Sequence, residues 1–578
     1  MIWNVCYTIA IVEICLALAL FIRQYNRKKD TFSSAVKTLI IGYAMSLFTL
    51  LLPIQLDNFG TDAVGVTKAV LMSLNRTLRS FVLTDINFMP STASIGSGLF
   101  PAYSVTLMAL CFVCPFLTIG YILSFFSKFR TGVRLVWCRS RNLCVFSQLN
   151  DHSLALAKDL SLNHPAWRMI FCGVNAPVKG HNGNLTDEAE KLGALCLTKD
   201  ITTMTFRYHS RKRSVWFFTI SSDEQLNTND ALELLAEYRM REHTRIYLFS
   251  TLTESHMILS GADPGKVKLR RIDISHCLIN RFLYNNGDRL FYGAADEEGG
   301  VKTISAVIVG LGHYGKEMLK SLAWFCQMDG YRLVIDAFDK SSAPARELEA
   351  ECGDLLDPRY NGVETAGEAA YEIRLHSGVE VRSGEFCSML RSLPHPTFAF
   401  VSLGNDSDNI EISAMLRTLF ERSGVRPDLY TIIRSSDKKR MLENIENFKH
   451  QKYDIHSIGD IPSTFSEKEI ISSELEQEAL RLHKQWGDEA DFWRYEYNYQ
   501  SSTARAIHLK ARSNLSDQAA NRSGITEHKR WNAYMRSLGY TYSGSGDPSS
   551  RNDLAKLHND LIPYDQLSAS EKLKDEDP

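Results

Sequence analysis

Ile304-Ser305-Ala306-Val307-Ile308-Val309-Gly310-Leu311-Gly312-His313-Tyr314-Gly315-Lys316 carries three glycines in a G-x-G-x-x-G spacing directly after an apolar run. The run reads as a buried strand, and a helical pattern starts at Lys316. Arg332 to Phe338 reads as the next strand and ends at Asp339. Each glycine has a physical task in such a turn. Gly310 allows the chain to bend tightly, Gly312 lets a pyrophosphate approach the backbone, and Gly315 permits close packing of helix on strand. Amides at the start of the helix attract phosphate. Asp339 is placed to accept from ribose hydroxyls, with Asp336 as the lesser candidate. The competing reading is a turn whose glycines serve only the fold.

Outward from this turn, short β-rich runs alternate with helices, which makes a doubly wound parallel sheet. The pattern occurs twice. An earlier copy begins after Arg141, with strands at Asn142–Phe146, Arg168–Cys172, Ala194–Thr198, Val215–Ile220 and Arg245–Phe249. Its turn is Ser147-Gln148-Leu149-Asn150-Asp151-His152, where Leu149 stands in the place that a pyrophosphate needs glycine. That turn is expected to be empty or remodelled. Both copies then repeat a second feature. Phe218-Thr219-Ile220-Ser221-Ser222-Asp223 leads to Asn227 and a helix, and Phe400-Val401-Ser402-Leu403-Gly404-Asn405 leads to Asn409 and a helix. Such an internal repeat means duplication. The fingerprint of the second copy implies NAD(H) or another adenine nucleotide as cofactor.

Three long apolar runs fill the first part of the chain, at about 2–22, 35–54 and 101–126. About 20 apolar residues span a bilayer as a helix. Basic clusters follow the first run (Arg23, Arg27, Lys28, Lys29) and the third (Lys128, Arg130, Arg134, Arg139, Arg141). Basic residues stay on the cytoplasmic side, so the expected topology has an outer N-terminus, an outer loop at about 56–100 and cytoplasmic C-terminal domains. Glu13 lies inside the first run and is expected to pack against another helix. Within the outer loop, Val64, Leu71, Leu74, Leu78 and Phe81 recur at helical spacing and predict an amphipathic helix.

The whole chain has 578 residues, or about four domains at ~150 residues each. Its 65 Lys+Arg balance 67 Asp+Glu, so nucleic acid is not an expected partner. The 12 cysteines form no disulfide framework, and the Cys111/Cys114 pair lies inside the third apolar run, so no metal site is expected.

The two α/β segments, 142–250 and 303–434, resemble the TrkA-N/RCK family, nucleotide-binding domains that regulate potassium channels and transporters. The stretch from Val215 to Leu235, with Asp223 and Asn227, is similar to that family's strand, acid, Asn, helix order. The outer helix, short helix, loop and inner helix resemble the pore module of cation channels. Ser94-Ile95-Gly96-Ser97-Gly98 is the pore candidate and resembles a relaxed potassium filter. It lacks the aromatic between the glycines and the acid after them, so potassium selectivity does not follow.

The C-terminal stretch Thr526-Glu527-His528-Lys529-Arg530-Trp531 is followed by Gly539-Tyr540, then by Leu557-His558-Asn559-Asp560-Leu561-Ile562-Pro563-Tyr564-Asp565. It resembles the ryanodine-receptor (RyR) repeat domain. Asn559 replaces that family's proline after the histidine, and Tyr540 replaces its usual tryptophan. The resemblance implies a small-molecule pocket built from Glu527, His528, Arg530, Trp531, Tyr540, His558, Tyr564 and Asp565. Arg530 can fork onto a phosphate or carboxylate, and His528 and Trp531 can stack on a base. An internal Glu527–Arg530 ion pair is the competing reading.

The expected fold class is an α-helical transmembrane module followed by two Rossmann-type α/β domains and a small, mainly α-helical domain. The expected domains are 1–130 (membrane module, with a pore helix and loop at 62–100), 131–300, 301–465 and 466–578. The function these resemblances imply is a ligand-gated membrane effector without enzymatic activity, an ion channel or membrane-permeabilising protein gated by a nucleotide-derived messenger bound by its RyR or Rossmann domains. The implied setting is a symmetric homo-oligomer, a tetramer by preference, in the lipid of a bacterial inner membrane and in antiphage defence. The alternatives are a housekeeping cation channel or transport regulator controlled by NAD(H) or ATP, and, third, a membrane-bound NAD(P)-dependent oxidoreductase.

Overall fold

A computed structural model describes residues 2–26, 32–82, 98–123, 138, 141–180, 183–203, 212–296, 300–357, 371–447, 449–471, 473–515, 523–544 and 551–576. The chain divides into two compact units, 1–143 with 166–213, and 144–165 with 214–578.

The apolar runs of the first unit form helices α1 (Ile2–Asn26), α2 (Phe32–Phe59) and α4 (Phe100–Leu123), with α3 (Ala63–Ser80) between the last two. Within them, Ile2–Arg23, Val36–Phe59 and Phe100–Ile122 are long and apolar enough to cross a membrane. α2 runs past the expected end at residue 54, beyond the internal Pro53, through the more polar turn Gln55-Leu56-Asp57-Asn58 to Phe59. α1 and α2 meet at small residues: a Cβ on Gly42 would lie 2.3 Å from that of Ala17. Glu13 accepts a hydrogen bond from Thr49 Oγ1 at 3.2 Å, so the carboxyl of α1 is held by α2. The Tyr103 hydroxyl of α4 donates to the Leu50 carbonyl.

α3 forms where the apolar spacing predicts it, but with the other face inward. Gly65, Ala69, Ser73, Thr77 and Ser80 are buried, whereas Val64, Leu71, Leu74 and Leu78 are exposed. Small residues let helix backbones approach closely, and the hydroxyls bond back to their own helix at 2.7–2.9 Å. Of the pore candidate, Ser94, Ile95, Gly96 and Ser97 lie outside the described residues, and Gly98 sits in the turn before α4.

Both predicted sheets are present. In the first, β1 (Leu143–Phe146), β2 (Arg168–Phe171), β3 (Leu195–Cys196), β4 (Val215–Thr219), β5 (Thr244–Phe249) and β6 (Lys268–Ile272) are ordered β3-β2-β1-β4-β5-β6. In the second, β7 (Lys302–Val309), β8 (Tyr331–Asp339), β9 (Tyr371–Ser377), β10 (Phe398–Val401), β11 (Asp428–Ile432) and β12 (Ile455–Ile458) are ordered β9-β8-β7-β10-β11-β12. Each is the 3-2-1-4-5-6 order of a Rossmann-like sheet, and the order reverses between the first and fourth strands. β7 is buried from Thr303 to Val309, as a parallel strand covered on both faces must be. Register places Val309 beside Phe338 on one side and Val401 on the other. Gly310, Asp339 and Ser402 therefore leave the sheet at one edge.

The C-terminal helices Glu474–His483, Glu496–Asn514 and Ser523–Ser537 precede a small three-stranded sheet. Ile507, Tyr534, Met535 and Leu561 join the core of the second sheet, as do Leu278, Phe282 and Phe291 from before it. The reason lies in the helix that the glycine turn opens, His313–Phe325. It buries Met318, Leu319, Leu322, Ala323, Trp324 and Phe325, and Ser523–Ser537 packs against it.

Candidate functional site

The glycine turn occupies the switch point of the second sheet, where ligands of such sheets bind. Gly310 has φ +91°, and a Cβ there would lie 2.4 Å from the Ser402 carbonyl oxygen. A Cβ on Gly315 would lie 1.9 Å from the Gly310 carbonyl oxygen, so helix and strand meet with no room for a side chain. Gly312 differs from both. It is exposed, begins the helix as its N-cap, and a Cβ there would meet nothing within 4 Å. The free space lies beside the amides at the start of His313–Phe325, the arrangement that accepts phosphate.

Asp339 faces this turn. Its Oδ2 accepts the Leu311 N–H at 2.8 Å and its Oδ1 accepts the Ser341 N–H at 2.8 Å. Asp336, the lesser candidate, is buried within the sheet and pairs with His376 Nε2 at 2.8 Å. Ser402 closes the third side by donating from Oγ to the Gly310 carbonyl at 3.0 Å. Arg434, which follows β11, is exposed and lies near Tyr314 of the turn, whose hydroxyl pKa burial pushes up. Its backbone N–H is fixed by Asp406 Oδ1 at 3.0 Å. Neither Ser402 nor Arg434 stands out in sequence as part of the site, because each reaches the turn only through strand order.

The first sheet's turn is filled from within. Leu149 is buried. Asn150 donates from Nδ2 to the Ile220 carbonyl at 2.8 Å and caps the following helix by accepting the Ser153 N–H at 2.8 Å. Ser147 Oγ accepts the Ile220 N–H at 2.8 Å. His152 stacks on Phe465 with ring centroids 4.3 Å apart. Its pKa is lowered by burial and by Arg434.

The repeated asparagines have one task in both sheets. Asn409 accepts the Leu403 N–H at 2.6 Å and donates to the Ile432 carbonyl at 2.7 Å. Asn227 accepts the Ser221 N–H at 2.7 Å and donates to the Phe249 carbonyl at 2.9 Å. Each ties the end of the fourth strand to the end of the fifth.

In the C-terminal part, Ser523–Ser537 carries Glu527, His528, Arg530 and Trp531. Arg530 is 1% exposed and forks onto Glu527, with Nε at 3.0 Å and Nη2 at 2.8 Å. Its Nη1 has no partner among the described residues. Burial raises the Glu527 pKa, but Arg530 overrides this and holds the carboxyl below its ordinary range. His528 bonds Asp575 at 3.0 Å and the Ile562 carbonyl at 2.7 Å. Around it gather three rings: Trp531 and Tyr564, with centroids at 5.8 and 5.9 Å, and His558, 4.9 Å from Trp531. Tyr540 turns elsewhere and donates to Asp553 at 2.8 Å, and Asp565 is exposed. Thus His528, Trp531, His558 and Tyr564 form one aromatic group, with the Glu527–Arg530 pair buried alongside it on the same helix.

No protein-family model matches the chain, and no curated protein matches it significantly in sequence.

Proposed function

We propose that the chain is a ligand-gated membrane effector, an ion channel or membrane-permeabilising protein, opened by a nucleotide-derived messenger. The observation that carries this reading is the open cradle at Gly312, in a chain that also has three helices of membrane-spanning length. The resemblance of the two α/β parts to TrkA-N/RCK domains and of the C-terminal part to RyR repeats supports it, and extends it to bacterial antiphage defence and a homo-oligomeric ring. The aromatic group of His528, Trp531, His558 and Tyr564 offers a second place for a base to stack. A ligand opens such a protein only by binding the open state more tightly than the closed one. Flux from liposomes containing the purified chain, measured with candidate nucleotides, tests the proposal. Nucleotide-dependent flux supports it, and binding without flux overturns the channel.

A second reading is a housekeeping channel or transport regulator controlled by NAD(H) or ATP. The placement of Asp339 beside the glycine turn favours it. Gly312→Val separates the two: it abolishes the nucleotide response of a regulator read at the turn and spares a messenger read at the aromatic group.

A further inference from the structure

Helix α3 exposes a row of large apolar side chains, although it is not one of the three helices of membrane-spanning length and apolarity. Val64, Leu71, Leu74 and Leu78 are each between 49% and 62% exposed. At about 100° per residue they share one face of the helix, opposite the buried Gly65, Ala69, Ser73, Thr77 and Ser80. That buried face is turned toward α2 and α4, on which α3 packs.

The course of α3 along its neighbours shows what surrounds the exposed row. Its first turn abuts the end of α2, where a Cβ on Gly65 would collide with the Phe59 carbonyl oxygen. Its last turn lies beside the middle of α4, where Ser80 Oγ is 3.9 Å from Cys111 Sγ. Phe81, directly after it, packs against the cluster that holds Leu47, Leu50 and Leu107 of α2 and α4. α3 thus runs from the end of one membrane-length helix to the middle of another. Its exposed row lies level with their own apolar surfaces, where Val12 and Leu16 of α1 and Phe112 and Phe116 of α4 are exposed in the same way.

We propose that α3 is embedded in the bilayer and that lipid acyl chains cover the face of Val64, Leu71, Leu74 and Leu78. Water is a poor neighbour for a contiguous apolar face. A second copy of the chain fits less well than lipid, because close helix pairing in a membrane uses small residues and those of α3 already face inward. The cations of α3 permit this placement. Lys68 lies near the end of α2, where its apolar stem can carry the ammonium to the interface. Arg76 and Arg79 are engaged within the protein. The segment that the sequence assigns to an outer loop is therefore partly a lipid-facing element, and this holds whether or not the chain conducts ions.

The test uses the full chain in phosphatidylcholine nanodiscs, with Leu71→p-benzoylphenylalanine and Leu78→p-benzoylphenylalanine as separate variants. The same photoreactive residue replaces Val12, on a membrane-length helix, and Leu162, exposed on the α/β part, for comparison. After irradiation, mass spectrometry reads the phosphatidylcholine adduct and gel electrophoresis reads chain-to-chain products. The lipid adduct forms at positions 71 and 78 as it does at position 12, and is lost at position 162. Covalent dimers in place of the lipid adduct at 71 and 78 would assign the face to a second copy and overturn the proposal. Absence of the adduct at both positions, as at 162, would place α3 in water and overturn it equally.

Discussion

The carboxylate of Asp339 holds the backbone of Leu311, with Oδ2 accepting its N–H at 2.8 Å. The acid at the end of β8 therefore shapes the glycine turn before any ligand arrives. A carboxylate has about four lone-pair sites, so two bonds to backbone leave capacity for a ribose hydroxyl. Asp339→Ala should cost about 1–2 kcal/mol of stability and weaken nucleotide binding by about tenfold or more. Denaturant melts and calorimetric titration with NADH and ATP measure both. Loss of stability with unchanged binding would confine Asp339 to the fold.

Asn409 and Asn227 make equivalent bonds, so their truncation should cost similar amounts. Each replacement by Ala strips a buried N–H and a buried carbonyl of their partner, for about 2–4 kcal/mol. Urea melts of the two single variants check this. A cost below about 0.5 kcal/mol for either would contradict the bridging role.

The first turn lacks a glycine at Leu149, but the structure predicts that restoring one is not enough. Asn150 and Ser147 still occupy Ile220, which borders the space a phosphate needs. Leu149→Gly should therefore gain no nucleotide site. Fluorescence titration with a labelled adenine nucleotide, run on Gly312→Val with and without Leu149→Gly, isolates this turn, and saturable binding gained only with Leu149→Gly would refute the expectation.

Acid should weaken the C-terminal part. Burial, aided by Arg551, pushes His558 down to about 4, and burial pushes His508 down to about 3. An unfolded histidine binds its proton near pH 6.5. Between about pH 6.5 and 4 the unfolded chain thus carries more protons on these two residues, and stability falls as pH falls. Asp560, pushed up to about 6 by burial and Glu571, opposes this below about pH 6, but it is one group against two. His558 is kept neutral for a purpose, since its Nδ1 accepts the Asp560 N–H at 3.2 Å. His558→Gln should flatten the pH dependence of unfolding by about one proton. An unchanged slope would remove His558 from the account.

Glu527 and Arg530 are a buried pair, and removing one partner strands the other. Glu527→Gln should cost about 3–5 kcal/mol, and the double change to Glu527→Leu with Arg530→Leu considerably less. Thermal melts of the single and double variants give the comparison. A double variant as unstable as the single one would show that the pair's shape matters more than its charge.

Much of this was legible along the chain. Ile304–Val309 before the glycines, the second run of short strands and the three apolar stretches are local patterns, with period, length and spacing that survive any packing. The aromatic group was legible only as a set. Which of its members meet depends on how Ser523–Ser537 sits against the segment around residue 560, and Tyr540 and Asp565 lie apart from it. The direction of α3 was not legible. Hydrophobic spacing marks an apolar face, but lipid-facing and core-facing stripes look alike in sequence, and here the small residues face inward.

The sequence alone determined the helices of membrane length, the duplicated strand–helix alternation and the glycines that one turn requires, because each depends on neighbours within a few residues. Tertiary structure decided which turn is open, that Asp339 is bound to Leu311, and that Arg530 is engaged by Glu527. Those outcomes depend on which buried donors and acceptors find partners across strands and helices far apart in the chain, and only the folded packing settles that.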